Sequence, residues 1–383
     1  MQAWWRNKAD ELHDAIPDFG GFLVKASSEG QPGPTDYGRT HADGANLLAR
    51  AVAPYGGIVM WRAFVYDASD GDVSTDAFDT FTPLDGAFDD NVLLQAKYGP
   101  NDFHALEPVH PLFGAMRRTH MMLELQITQE HTGHETDLCY LPVWWKQVLD
   151  FDTHAGGTVA EIVGGGAGVI NFGDDRNWTG SHLAAANTHG YGRLLWDPGQ
   201  RPRDLAREWI AMTFGTDGEL RDALESMLLG SWQTFVDYTS PLGLSNMVAA
   251  AGGALRPRPR RLAAGAPVGR RGHRLRPHGG HGDRLHALLP RASERSLRGP
   301  GLVPGRAAAV HAPRPVRPRA ALRPDLIDHI YEAHFAGLEA VLGYRDAWRA
   351  LGARVDDRRH REVLERFDQH VDHATRWRDT IVA

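Results

Sequence analysis

Five short apolar runs recur along the first 172 residues, at 22–24, 58–66, 91–97, 121–128 and 168–172. Successive runs begin roughly 30–40 residues apart, the length of one β/α unit. Each run is near-continuous in apolar residues, the pattern of a parallel strand covered on both faces. Polar side chains also gather at or just past the end of each run. They are Lys25 and Glu29, then Arg62, then Lys97 and Asp102, then Gln129 and Glu130, then Asn171, Asp174, Asp175 and Asn177. Convergence of polar groups at one end of successive parallel strands marks the active face of a (β/α) barrel, which is preferred over a doubly wound sheet.

A complete barrel takes eight strands in about 250 residues. With only about 20 residues ahead of the first run, the chain reads as the later part of such a barrel, with run 22–24 as the fourth strand. A helix is expected over 2–17, with Trp4, Trp5, Ala9, Leu12 and Ile16 on one face. Thr40 is expected to cap a second helix whose first turn carries Asp43. A long, aspartate-rich polar loop precedes Asn91, and a further helix is expected around 144–149. The glycine run 164–168 lies before a strand rather than after one, so it is not a dinucleotide loop.

From Arg201 onward the periodicity turns helical, with Leu205, Trp209, Ile210 and Phe214 on one helix and 220–238 as another. It resumes over 326–342 and 355–382, where Val363, Phe367, Val371, Ala374, Trp377 and Ile381 fall three and four residues apart. The fold class is therefore α/β, a partial (β/α)8 TIM barrel followed by an all-α C-terminal domain. The expected divisions are 1–200 for the barrel portion, 201–253 and 326–383 for the helical domain, and 254–325 for a segment of another kind.

That segment uses only ten residue types. Between Ala254 and Pro324 it holds 17 arginines, no lysine and two acids, a local charge of +15 that leaves the other residues at −21 within a net −6. Lacking Phe, Tyr, Trp and Ile, and carrying eleven prolines, it cannot bury enough surface to offset its ordering entropy, so disorder is expected. A nucleic-acid tail would want aromatic platforms and lysine. A GC-rich gene read out of frame, with a compensating frame change, accounts for the composition better.

The single cysteine, Cys139, excludes an intramolecular disulfide and fits a reducing compartment. No stretch has the length and apolarity of a membrane span or a signal peptide, and a cytoplasmic location is expected. The eleven tryptophans suit a large core, and some could stack on sugar rings.

Glu29, Asp102 and Glu130 place three carboxylates at three strand ends. Each alone reads as a solvated loop acid. Together with Lys25, Arg62 and Lys97 on the same rim they provide what glycoside hydrolysis needs, an acid that donates a proton and a carboxylate that activates water. The cations would hold an anionic substrate, or else pair with those same acids. His131 and His134 superficially offer metal ligands, but no third ligand is indicated. A metal-dependent barrel enzyme using Asp102, Glu130 and Asp174 is a third, weaker reading.

The runs GFLVKASSEGQPGPTDYGRTHADGANLLA, GGIVMWRAFVYD, KYGPNDFHALEPVHPLFGA, MMLELQITQEHTG and INFGDDRNWTG, followed by REWIAMTFG, resemble the α-glucuronidases of glycoside hydrolase family 67. The resemblance covers roughly residues 1–250 and, more loosely, 326–383. It implies removal of 4-O-methyl-glucuronic acid from α-1,2-linked xylooligosaccharides with inversion, in xylan degradation. It also implies Glu29 as general acid, Asp102 and Glu130 as the carboxylates that activate water, and Lys25, Arg62 and Lys97 as uronate-binding residues. No metal or organic cofactor is implied, and a homodimer through the helical domain is. The resemblance also implies a further domain and the first barrel strands ahead of the point where this sequence starts, and the arginine-rich segment departs from the family's pattern. The alternative is a non-catalytic fragment that at most binds sugar acids weakly.

Overall fold

The computed structural model describes residues 1–28, 30–65, 73–174, 176–177, 179–243, 248–251, 254–257 and 324–382. Five parallel strands form one sheet in the order β1 (Gly21–Val24), β2 (Ile58–Arg62), β3 (Val92–Lys97), β4 (Met121–Gln126) and β5 (Val163–Val169). This sequential all-parallel order is that of an open half-barrel; a doubly wound sheet would reverse its strand order partway. Among the described residues β1 pairs only with β2, and β5 only with β4. The centre of the sheet is fully covered: Val59, Leu94, Ala96, Leu123 and Leu125 are buried.

Helix α1 (Gln2–Ala15) precedes the sheet, and α2 (His41–Val52) packs on β2 and β3. Thr40 caps α2 as its sequence implies. The Asp43 N–H donates to Thr40 Oγ1 at 3.1 Å, and the Thr40 N–H returns a bond to Asp43 Oδ2 at 2.9 Å. Three expectations need correction. In α1 the inward face carries Ala9 and His13; Trp4 is exposed within the helix, and Ile16 is exposed because the helix stops at Ala15 and Ile16 lies past its end. The aspartate-rich loop contains a helix, α3 (Val73–Phe81), which buries Phe81.

The last strand also differs from its expected bounds. The glycine run lies inside β5, and residues 170–172 lie beyond its end. The reason is packing. A Cβ on Gly166 would sit 2.5 Å from Leu195, and one on Gly168 would sit 2.6 Å from Tyr191. Both neighbours belong to α7 (Ala185–Trp196), which lies so close to the strand that only glycine fits beneath it.

Short helices α4 (Leu112–Ala115), α5 (Pro142–Leu149) and α6 (Val159–Ile162) complete the connections. The C-terminal part is helical: α8 (Pro202–Phe214), α9 (Gly218–Thr239), α10 (Pro324–Ala350) and α11 (Asp357–Val382). Helices α9, α10 and α11 pack on one another. Their core, with Trp209, Leu224, Trp348, Val363 and Phe367, also takes in Leu138 and Tyr140 from the connection after β4. Trp144 of α5 stacks on Trp232 of α9 with ring centroids 5.3 Å apart. The half-barrel and the helices thus share buried contacts rather than meeting through a linker.

Of the arginine-rich stretch, Ala254–Pro257 forms β7, antiparallel to β6 (Val248–Ala251). This short hairpin departs from the expectation of disorder. Residues 258–323, on which most of that expectation falls, lie outside the described residues. No helix among the described residues is long and apolar enough to cross a membrane.

Candidate active site

The C-terminal strand ends bring together Lys25, Arg62 and Lys97. Lys25 directly follows β1, Arg62 ends β2 and Lys97 ends β3. All three cations gather at one aromatic ring. The Phe64 centroid is 4.6 Å from Lys25 Nζ, 3.6 Å from Lys97 Nζ and 5.5 Å from Arg62 Cζ. A phenyl face tolerates cations because its quadrupole is negative there, and it lets like charges approach without direct contact. Phe64 carries no signal in the sequence beyond being apolar.

Beneath them runs a polar layer across three strands. Arg62 donates from Nε to Glu124 Oε2 at 2.8 Å and from Nη2 to Oε1 at 2.5 Å. Gln95 of β3 donates to the same Glu124 Oε2 at 2.6 Å. Glu124 is buried, so its charge is tolerable only because Arg62 and Gln95 satisfy both oxygens. Two N–H groups of the Arg62 fork are thereby engaged out of five.

Lys97 is buried and forms an ion pair with Asp102 Oδ1, while Nζ also donates to the Asn101 carbonyl at 3.3 Å. The other Asp102 oxygen, Oδ2, lies 3.3 Å from His131 Nε2, which must carry the proton of this bond. Burial alone would raise the Asp102 carboxyl. The His131 hydrogen bond and the Lys97 ammonium outweigh it and hold the group well below the usual carboxylate range. Burial in turn draws the Lys97 ammonium down, against the pull of Asp102, Glu124 and Glu107.

Asp102 sits on a loop organised by a buried carboxylate. Glu107 Oε2 accepts the Asn101 N–H at 2.8 Å, and Oε1 accepts those of Asp102 at 3.1 Å and His104 at 2.6 Å. Burial pushes Glu107 up to about 7 in spite of these bonds. Glu130, exposed on the loop after β4, accepts from Gln126 Nε2 at 3.0 Å. Gln126 is the last residue of β4, so the strand end aims the carboxylate.

Glu29 lies outside the described residues. The other five candidate residues lie on one strand-end rim, and the cations pair in part with acids, as one reading of the sequence allowed. Arg62 pairs with Glu124, which the sequence reading passed over. A lone acid inside the apolar run MMLELQI was the available signal, since a buried charge requires a partner. Glu107, beside Pro108 in a mixed loop, offered none. His131 serves as a hydrogen-bond partner of Asp102. Among the described residues no group of three His, Cys, Asp or Glu side chains is arranged to hold a metal ion. Asp174 is exposed beyond β5.

The loop carrying Glu130 and His131 is conformationally strained. Gly133, His134 and Glu135 all lie in the left-handed region, with φ of 105°, 53° and 55°. For the two non-glycine residues this costs about 1–2 kcal/mol each.

A parallel half-barrel with carboxylates and cations on its C-terminal rim has the arrangement on which barrel enzymes build their sites. The chain belongs to glycosyl hydrolase family 67: the family's middle domain matches residues 1–178, and its C-terminal domain matches 179–265 and 323–383. The interruption between those last segments falls within the arginine-rich stretch. Curated relatives include "Probable alpha-glucuronidase A" of Aspergillus fumigatus, 38% identical over 411 residues, covering 99% of this chain and 48% of the relative. "Alpha-glucuronidase" of Hypocrea jecorina is 37% identical, covering 99% and 47%. "Alpha-glucuronidase A" of Emericella nidulans is 38% identical, covering 99% and 48%. The chain spans about half the length of the curated relatives it matches.

Proposed function

We propose that this chain carries the hydrolytic centre of an inverting α-glucuronidase that releases glucuronic acid, or its 4-O-methyl ether, from α-1,2-linked xylooligosaccharides. The observation that carries the reading is the convergence of Lys25, Arg62 and Lys97 on Phe64, directly beside the Asp102 carboxylate. Three cations at one point suit a sugar carboxylate. Asp102 and Glu130 activate and orient the attacking water, and Glu29 protonates the leaving oxygen. Inversion requires acid and base to stand about 6.5–9.5 Å apart, leaving room for that water.

The His131 hydrogen bond and the Lys97 ammonium together hold Asp102 ionised against its burial, which makes it a poor base in the free protein. An incoming uronate competes for the Lys97 ammonium, and the Asp102 carboxyl becomes more basic as that ammonium turns to the substrate. Binding of the right anion thereby prepares the base. Two copies of the chain associate through the helical region, where Met212 and Phe335 are exposed.

Release of 4-O-methyl-glucuronic acid from aldouronic acids, compared between the parent and Glu29→Gln, tests the reading. The variant keeps the shape and removes the proton, so a loss of ~10²–10⁴-fold is expected. Equal rates would remove Glu29 from the role of acid.

The open sheet favours a second reading, a fragment that binds sugar acids without hydrolysing them. The outer sides of β1 and β5, unpaired among the described residues, invite association with other chains. Under that reading the protein aggregates or melts without cooperativity, and no uronic acid is released.

A further inference from the structure

We propose that the helical C-terminal region is a working part of the site: His373 and Tyr238, acting through Asp137, hold the strained loop 129–137 in the shape that presents Glu130 and His131. The proposal rests on the hydrolytic reading of Asp102 and Glu130, and it names positioning residues that stand outside the rim itself.

The loop is closed on itself by Gln129. Its carbonyl accepts from the Thr132 and His134 N–H groups at 3.1 and 2.8 Å, its N–H donates to Glu135 Oε1 at 2.7 Å, and its side-chain amide donates to the Asp137 carbonyl at 3.1 Å. Three successive left-handed residues do not persist on such local bonds alone. A backbone of this kind survives where its surroundings over-determine it.

Those surroundings come from the helices. The Asp137 side chain is fully buried, and its Oδ2 accepts from Tyr238 Oη of α9 at 2.7 Å and from His373 Nδ1 of α11 at 2.5 Å. Trp377 Nε1 donates to His373 Nε2 at 2.9 Å, which fixes His373 as the tautomer with its proton on Nδ1. His370 Nδ1 accepts the Leu138 N–H at 3.3 Å, so its Nε2 carries a proton and donates to Tyr238 Oη at 3.0 Å. Every donor in this relay points toward Asp137. Burial opposes the charge, yet the hydrogen bonds from His373 and Tyr238 help hold Asp137 below the usual carboxylate range. A Cβ on Gly133 would lie 2.4 Å from Asp137 Cβ, so the strained turn is moulded directly over this anchor.

The consequence is functional because the same loop carries both Glu130 and His131, the residue bonded to Asp102. Loosening Asp137 displaces one rim carboxylate and removes the His131 hydrogen bond from the second, Asp102, which Lys97 still holds. Lys25, Arg62 and Lys97 stand on other strand ends and keep their places. Catalytic turnover should therefore suffer while substrate binding persists.

The test uses the full chain with His373→Leu, His373→Asn and Tyr238→Phe. The asparagine amide can donate in place of Nδ1–H; leucine cannot. In the leucine variant, hydrogen exchange of loop 129–137 should quicken about tenfold or more while β3 and α9 keep their protection. Misplacement of the loop should lower kcat for aldouronic acids by about 10–100-fold with KM nearly unchanged. Asparagine should restore both. Unchanged exchange in the loop, or equal behaviour of the leucine and asparagine variants, would overturn the proposal. Should His373→Leu fail to fold, Tyr238→Phe decides by exchange alone: faster exchange in the loop supports the relay, and unchanged exchange refutes it. A parent protein without hydrolytic activity would count against the proposed function, and the exchange result would still judge the relay.

Discussion

Arg62 on β2 grips Glu124 on β4 through two parallel hydrogen bonds, spanning the intervening strand β3, whose Gln95 bonds to the same carboxylate. A buried ion pair of this kind is a poor source of net stability but a costly one to break by halves. Glu124→Ala should destabilise the protein by about 3–5 kcal/mol, read as a fall in melting temperature, because it strands the guanidinium. Replacing both partners by methionine should cost less than either single change. A double variant as damaged as the sum of the singles would refute this description of the layer.

Lys97 and Asp102 make a second prediction, one of pH. Lys97→Met removes the ammonium that helps hold the Asp102 carboxyl down, so that carboxyl should titrate at higher pH. The acid limb of the rate profile should move upward in the variant, and uronate affinity should weaken. An unmoved acid limb would show that Asp102 does not govern it.

Stability against acid should be set by buried histidines opposed by Glu107. Burial lowers His104 and His370 to about 4 and His110 to about 3. Unfolded histidines take up protons near 6.5, so these three lose stability as the pH falls from about 6.5 toward 4. Glu107 works the other way. Its folded value of about 7 lies above the ordinary one, so it takes up a proton first in the folded state and adds stability as the pH falls from about 7 to 4.5. Glu107→Gln should therefore steepen the loss of stability on acidification, followed by denaturant melts at pH 7.5 and pH 5. A shallower loss in the variant would contradict the assignment.

Lys25 is exposed, and its change should spare the fold. If it holds the uronate, Lys25→Ala should weaken binding of the acidic oligosaccharide by about 10–100-fold, the worth of a charge-assisted hydrogen bond. Binding of neutral xylooligosaccharides should not change. Isothermal titration with both ligands separates the two.

The half-barrel was legible because its strands are apolar on both faces and end in charged residues. The rim positions of Lys25, Arg62, Lys97, Asp102 and Glu130 followed from that pattern. The boundary of β5 did not, since a glycine strand is defined by the helix lying on it, and Leu195 and Tyr191 are distant in sequence. Asp137, Tyr238, His370 and His373 were opaque for the same reason: the partners are separated by 101 to 236 positions. In the final helix, spacing suggested Val371 as a core residue, and the structure buries His370 beside it because the Tyr238 hydroxyl and the Leu138 amide satisfy both ring nitrogens.

The central claim is that the rim carboxylates drive single-displacement hydrolysis of an α-linked uronic acid. Following the anomeric protons of the released sugar by nuclear magnetic resonance in the first minutes tests it most directly. The account predicts that the β-anomer of 4-O-methyl-glucuronic acid appears first and then mutarotates. First appearance of the α-anomer, or no release from a cooperatively folded protein, would contradict it.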